Sequence, residues 1–267
     1  MAVFEDDVER PTTSLRGRLA DVYYPALLAE SHGALAIRLG QRARTYNPIL
    51  GGAAGLGSIQ AHLNELADWL ADKGASYAPA RGVNGVDRDV TEGLLSLRLG
   101  GAHIDLPVAV VTQRMKAREV DLRAYHATVP LERWQAARPS RPPSDKDYVL
   151  PNDVAAHLGA LRLGDADALV SGFESEGSLR DGAGKSHARE GDKLLDFYVG
   201  TLQVERGAND WVPIVISCAD DGRSCAVEYQ TEKVRGGEIR PKEGLMIFER
   251  GDSGLFRSVR VYDELGL

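Results

Sequence analysis

The chain is poor in cysteine, with two among 267 residues, which excludes a disulfide scaffold. A chain this long buries a sufficient core without covalent staples. No apolar run approaches the ~18–20 residues of a membrane span, so no membrane partner is expected. Basic charge is not in excess either. The formal net charge is −7, with 16 basic and 16 acidic groups in residues 1–140 and 16 and 23 in residues 141–267. Neither half has the basic face that phosphate neutralisation requires, which argues against a nucleic-acid partner. The N-terminal MAVFEDDVERPTTSLRGRL has no apolar signal core, so the expected location is cytoplasmic.

Chemical signatures are scarce as well. His32, His62, His103, His126, His157 and His187 are scattered, without H-x-x-x-H or C-x-x-C spacing, so no metal is expected. The glycine run Gly51-Gly52-Ala53-Ala54-Gly55-Leu56-Gly57 lacks a P-loop ending. It also lacks the strand context and the following acidic residue of a dinucleotide site. It reads as a strand-to-helix loop, and no cofactor is expected. No Gly-x-Ser-x-Gly or paired Cys/His nucleophile is present. Cys218 and Cys225 flank ADDGRS, where a two-residue turn at Asp221-Gly222 sets them opposite one another on a hairpin. The options are a cross-strand disulfide and two buried thiols, and a reducing compartment favours the thiols.

What is present is organisation. Hydrophobic residues make up 43% of the chain and charged residues 27%, as in ordinary globular proteins. The segment ARPSRPPSDKD at 137–147 puts Pro139, Pro142 and Pro143 within five positions among charges, the composition of a linker. The expected division is a tail at 1–15, a first domain at 16–136, the linker at 137–147 and a second domain at 148–267. Both parts open on helical spacing: Leu19, Val22, Tyr23, Leu27 and Leu28, then Leu35 and Leu39, in the first; Val154, Leu158, Leu161, Leu163, Leu169 and Phe173 in the second. RTYNP (44–48) and SLRDG (178–182) follow as a short strand into a turn, then third helices at 58–74 and 190–202, then strands. Arg123-Ala-Tyr-His126 in the first part echoes Arg260-Val-Tyr-Asp263 in the second. Helix, helix, strand, helix and then a curved antiparallel sheet, twice over, is an α+β reading with an internal duplication.

The stretch LGALRLGDADALVSGFESEGSLRDG (158–182), with AVEYQTE, GLMIFER and SVRVYDEL, resembles the nuclear transport factor 2-like superfamily. That group includes ketosteroid isomerases, SnoaL-like polyketide cyclases and small epoxide hydrolases. The resemblance covers nearly all of 150–267 and, more weakly, 16–132. It implies two tandem cone-shaped domains, each with three helices packed on a curved antiparallel sheet, that form an intrachain pseudo-dimer and so are expected to be a monomer, with a cone that holds a small apolar molecule. In ketosteroid isomerases an Asp ending the first strand is the base, and that position is Asp181 here and Asn47 in the first copy. The oxyanion-binding phenol of the first helix corresponds to His157 and Tyr23. The second oxyanion donor falls at Gly244 and near Pro107, neither of which donates from a side chain. SnoaL-like cyclases place an Asp after an aromatic residue on the last strand, matched by Asp263 after Tyr262, with His126 after Tyr125 in the first copy. The epoxide hydrolase set Asp181, Arg260 and Asp263 is weakened by strand alternation, which turns Arg260 away from Asp263.

The leading expectation is a cofactor-independent isomerase or cyclase that uses acid–base chemistry on an apolar polyketide- or terpenoid-like substrate. Asp181, His157 and Asp263 would carry the chemistry. Tyr23, Asn47, His126, Tyr198 and Tyr229 would contact the substrate. Trp69 and Tyr198, on the third helices, read first as core. The alternatives are a non-catalytic small-molecule-binding or scaffold protein and an epoxide hydrolase or epoxide-opening cyclase.

Overall fold

The computed structural model describes residues 17–115, 119–127, 148–206, 213–235 and 238–263. The tail at 1–15 and the proline-rich linker at 137–147 lie outside them. The first half runs α1 (Leu19–Leu28), α2 (His32–Leu39), β1 (Arg44–Asn47), β2 (Gly51–Ala54), α3 (Leu56–Asp72), β3 (Ser76–Asn84), β4 (Arg88–Leu99), β5 (Ala102–Arg114) and β6 (Val120–His126). The second runs α4 (Asn152–Leu163), α5 (Ala166–Ser171), β7 (Phe173–Arg180), β8 (Ser186–Ala188), α6 (Lys193–Arg206), β9 (Ile214–Asp220), β10 (Ser224–Arg235), β11 (Glu238–Arg250) and β12 (Phe256–Asp263).

Each half is one six-stranded sheet, ordered β2-β1-β6-β5-β4-β3 and β8-β7-β12-β11-β10-β9. The order is the same in both. Neighbours are antiparallel except β1 with β6 and β7 with β12, which are parallel. The α+β reading of two repeated three-helix, one-sheet units therefore holds, with one parallel pairing in each sheet.

Side-chain alternation explains why the later strands are apolar on both faces. Val108 and Val110 of β5 join Leu122 and Ala124 of β6 in a core with α1, α2 and α3, while Ala109, Val111 and Tyr125 point the other way. In the second half Met246, Phe248, Val259 and Val261 face the helices, and Leu245, Ile247 and Tyr262 turn outward. The outward faces of the two sheets meet in a third core containing Val83, Val90, Ala109, Val111, Tyr125, Ala219, Ala226, Leu245, Ile247 and Tyr262. Strands covered on both faces lose the alternation of apolar and polar residues.

Polar clamps flank that sheet-to-sheet core. Glu228 accepts hydrogen bonds from Arg123 (2.6 and 2.7 Å) and from the Tyr125 hydroxyl (2.7 Å). Glu92 accepts from Arg260 (2.6 and 2.9 Å) and from the Tyr262 hydroxyl (2.5 Å). The repeated Arg-x-Tyr motif of β6 and β12 thus reaches across to the same glutamate of the opposite half, in both directions. This is the isologous exchange of a two-fold dimer, contained in one chain.

Four details differ from the sequence reading. Gly51–Ala54 of the glycine run is a strand, paired antiparallel with β1, and the break before α3 is confined to Gly55, whose φ is +79°. β3 was not expected. It carries Pro79 and is an edge strand with a register shift between Pro79 and Gly82, where a proline is tolerated. Phe173 opens β7 instead of closing a helix. The Cys218–Cys225 hairpin turns one residue later than expected. The Asp221 carboxylate accepts the N–H groups of Arg223 and Ser224, so Cys225 sits opposite Asp220 and Cys218 opposite Val227. Both cysteines are free thiols.

Candidate functional site

Asp181 directly follows β7, where the chain turns towards β8, and four contacts fix it, one of them its own N–H donating to the Lys185 carbonyl (2.9 Å). Its main-chain carbonyl accepts the Gly184 N–H (2.9 Å), and its Oδ1 accepts the Lys185 N–H (2.9 Å). Its Oδ2 lies 2.8 Å from Nε2 of His187, which stands on β8 opposite Leu179. His187 in turn stacks on Phe197 of α6, with ring centroids 4.2 Å apart. Both members of the pair are buried, Asp181 at 6% exposure and His187 at 8%. Asp181 therefore serves as a turn cap and also as the carboxylate of an imidazole–carboxylate pair.

That carboxylate lines a small, nearly wholly apolar cavity between the helices and the sheet. The other walls include His157 and Leu161 of α4, Phe197, Tyr198 and Leu202 of α6, and Met246, Val259 and Val261 of the sheet. Its free volume is about 30 Å³, room for one or two water molecules. The Tyr198 hydroxyl lies 3.3 Å from Nε2 of His157, and His157 is ringed by Phe173, Phe248 and Phe256. Burial lowers the His157 imidazole to about 3 and raises the Tyr198 phenol well above its usual value. At neutral pH both are uncharged, so the phenol is held as a hydrogen-bond donor.

Asp263 faces the helices but stands apart from this cavity. It is opposite Gly244 on β11, and its Oδ2 accepts the Tyr229 hydroxyl at 3.2 Å. The Tyr229 ring lies across Gly244, where an added Cβ would come within 2.4 Å of it. Burial, reinforced by the Asp263 charge, pushes the Tyr229 phenol well above its ordinary value. The place where the isomerase resemblance puts a second donor is thus filled by a neighbouring phenol. In the first half the residue opposite His126 is Val108, not Pro107.

Tyr23, Asn47 and His126 belong to the first half. The Tyr23 hydroxyl faces Asn47 and Thr45, and burial raises its pKa more than those two lower it. Oδ1 of Asn47 accepts the Ile49 N–H at 2.8 Å. His126 is lowered to about 4 by burial, partly opposed by its hydrogen bond to the Ala127 carbonyl. The second cone thus gathers Asp181, His157 and Tyr198, with Tyr229 and Asp263 as a separate pair beside them, and the other three lie in the first. Arg260 is turned to the opposite face and bound to Glu92, so Asp181, Arg260 and Asp263 do not assemble. His187 escaped the sequence reading. Its signal was a histidine six residues after Asp181 across a Gly-rich turn, which only hairpin pairing converts into contact. Among the described residues no group of three or more His, Cys, Asp or Glu could hold a metal ion. No described helix is long and apolar enough to cross a membrane.

Each half packs three helices on one face of a six-stranded sheet, and the strand order is the same in both. No family model matches the chain, and no curated protein matches it. Solved structures do resemble it. SalBIII, an epoxide hydrolase/cyclase-like enzyme of pyran ring formation in the polyether salinomycin, is 19% identical over 42% of this chain and 88% of its own, with a TM-score of 0.36. A candidate polyketide cyclase from Sinorhizobium meliloti is 20% identical over 42% and 94%, TM-score 0.34. A protein of ketosteroid isomerase-like fold from Catenulispora acidiphila, solved with trimethylamine, is 17% identical over 44% and 88%, TM-score 0.36.

Proposed function

We propose that the second cone is an acid–base site for a small apolar carbonyl compound, with Asp181 as the base and His187 as its positioning partner. One observation carries this reading: a buried, histidine-paired carboxylate on the wall of an otherwise apolar cavity. Asp181 would take a proton from a carbon beside the carbonyl, and the Tyr198 hydroxyl would donate to the developing enolate oxygen. Returning the proton to a different carbon completes an isomerisation. Asp263 has no part in this chemistry.

The cavity volume favours one competing reading, a cone filled by its own side chains in a binding or scaffold protein. A cyclic ketone needs more than about 30 Å³, so the acid–base reading requires α6 to yield. Leu202→Ala enlarges the cavity next to Asp181 and separates the two readings. A thermal-shift titration of wild type and Leu202→Ala against small cyclic ketones and enones is the test. A ligand at a hundred times its dissociation constant adds about 2.7 kcal/mol. The acid–base reading predicts stabilisation of both proteins, tighter in the variant and weakened by Asp181→Asn. No stabilisation of either protein favours the filled cone.

A further inference from the structure

A second cavity, of about 530 Å³, opens between the halves on the face of β12 opposite the cone. It falls in the usual size range of small-molecule sites. Four guanidinium groups, from Arg81, Arg180, Arg257 and Arg260, line it against three carboxylates, Glu92, Glu176 and Glu249. Most of these charges are committed. Arg260 is bound to Glu92 and Glu249, Arg81 to Glu249, and Arg257 pairs with Glu174 at 3.6 Å.

Arg180 is the exception. Its guanidinium lies over the Tyr262 ring, 4.9 Å from the centroid. Its Nε and Nη2 are buried and have no hydrogen-bond partner. Those two nitrogens form the edge of a guanidinium that grips a carboxylate through two parallel hydrogen bonds. A buried donor edge without an acceptor is costly and calls for a partner. The related position in the first half underlines the point. Tyr46 stands beside Arg123 as Arg180 stands beside Arg260. There Arg44 is bound to Asp121 and the Nε–Nη2 edge of Arg123 to Glu228, with only Nη1 of Arg123 left without a hydrogen bond.

We infer that this inter-half cleft binds a small organic monocarboxylate, gripped through its two oxygens by Nε and Nη2 of Arg180. The open donor edge of Arg180 offers two parallel N–H groups, which match the two oxygens of a single carboxylate. Ala80, half-exposed Leu94 and the Tyr262 ring supply apolar surface for the body of the ligand. Arg81 and Arg257, which also line the cleft, are 62% and 50% exposed.

The test follows the Nε–H resonances of arginine in ¹⁵N-labelled protein during titration with sodium benzoate, with inorganic phosphate in a second arm and sodium chloride holding ionic strength constant. The Arg180 signal is identified by its loss in Arg180→Lys. Benzoate should shift it saturably and raise Tm. Phosphate should bind at least about tenfold more weakly. Arg180→Lys keeps the charge and loses the two-pronged edge, so it should bind benzoate at least about tenfold more weakly. The inference is overturned if benzoate leaves the Arg180 signal unmoved, if phosphate binds as tightly as benzoate, or if Arg180→Lys binds benzoate as wild type does. The wild-type resonance decides the matter even where a variant folds poorly.

Discussion

Asp181 uses its two carboxylate oxygens differently, one on the Lys185 N–H and the other on His187. Asn at this position keeps an acceptor for the amide and a polar partner for the imidazole, but cannot take a proton. Asp181→Asn should therefore stay within about 1 kcal/mol of wild type in urea unfolding. Asp181→Ala, which strands both partners, should lose about 1–3 kcal/mol. The buried histidines set a pH dependence. His157 at about 3 and His126 at about 4 are neutral when folded, while both take up protons near 6.5 once unfolded. The unfolded state then binds more protons, so stability falls as pH drops below about 6.5. At pH 5 each contributes a loss of about 2 kcal/mol. Replacing His157 with Phe should flatten the urea-midpoint profile between pH 7 and pH 5; an unchanged slope would remove His157 from this account.

Among the elements, β10 and β11 show how one side chain dictates its cross-strand neighbour. Gly244 has no side chain because the ring of Tyr229, opposite it, occupies that space. Gly244→Ala forces the ring aside and breaks its bond to Asp263, for an expected cost of about 1–3 kcal/mol in urea unfolding. Combined with Tyr229→Ala, the cost should be well below the sum of the two single changes. Legibility varied by element for similar reasons. The helices and long strands were readable because their apolar spacing is set by burial against one core. β2 was not, because Gly51–Ala54 has no patterned side chains and is a strand only through its bonds to β1. β3 hid behind Pro79 at a sheet edge. At the site, Asp181 and His157 could be found by position along the chain. His187 could not, since its partnership depends on a hairpin register.

For the whole molecule, the two halves are held by reciprocal clamps that the sequence displayed without explaining. The Arg-x-Tyr echo was visible, but it read as part of a last-strand catalytic motif. Its glutamate partners, Glu92 and Glu228, lie on other strands and gave no local sign. Burial raises the Glu228 carboxyl, and Arg123 more than offsets this and holds it at about 2. Glu228→Ala takes the two-pronged partner from Arg123, 5% exposed, and leaves it Asp121 at 3.5 Å. It should cost about 3–5 kcal/mol, read as a lower urea midpoint. Because each sheet already covers the outward face of the other, sedimentation should give a monomer. A dimer at micromolar concentration would mean that another surface is used.

The acid–base site in the second cone is tested most directly by proton exchange at carbon. Small cyclic ketones and enones are incubated with the protein in deuterium oxide, and deuterium at the carbon beside the carbonyl is followed by NMR. The account predicts exchange above the buffer rate with wild type. Asp181→Asn, folded, should reduce that exchange by about 10²–10⁴-fold. Exchange at the buffer rate with wild type, or equal rates for wild type and Asp181→Asn, would contradict it.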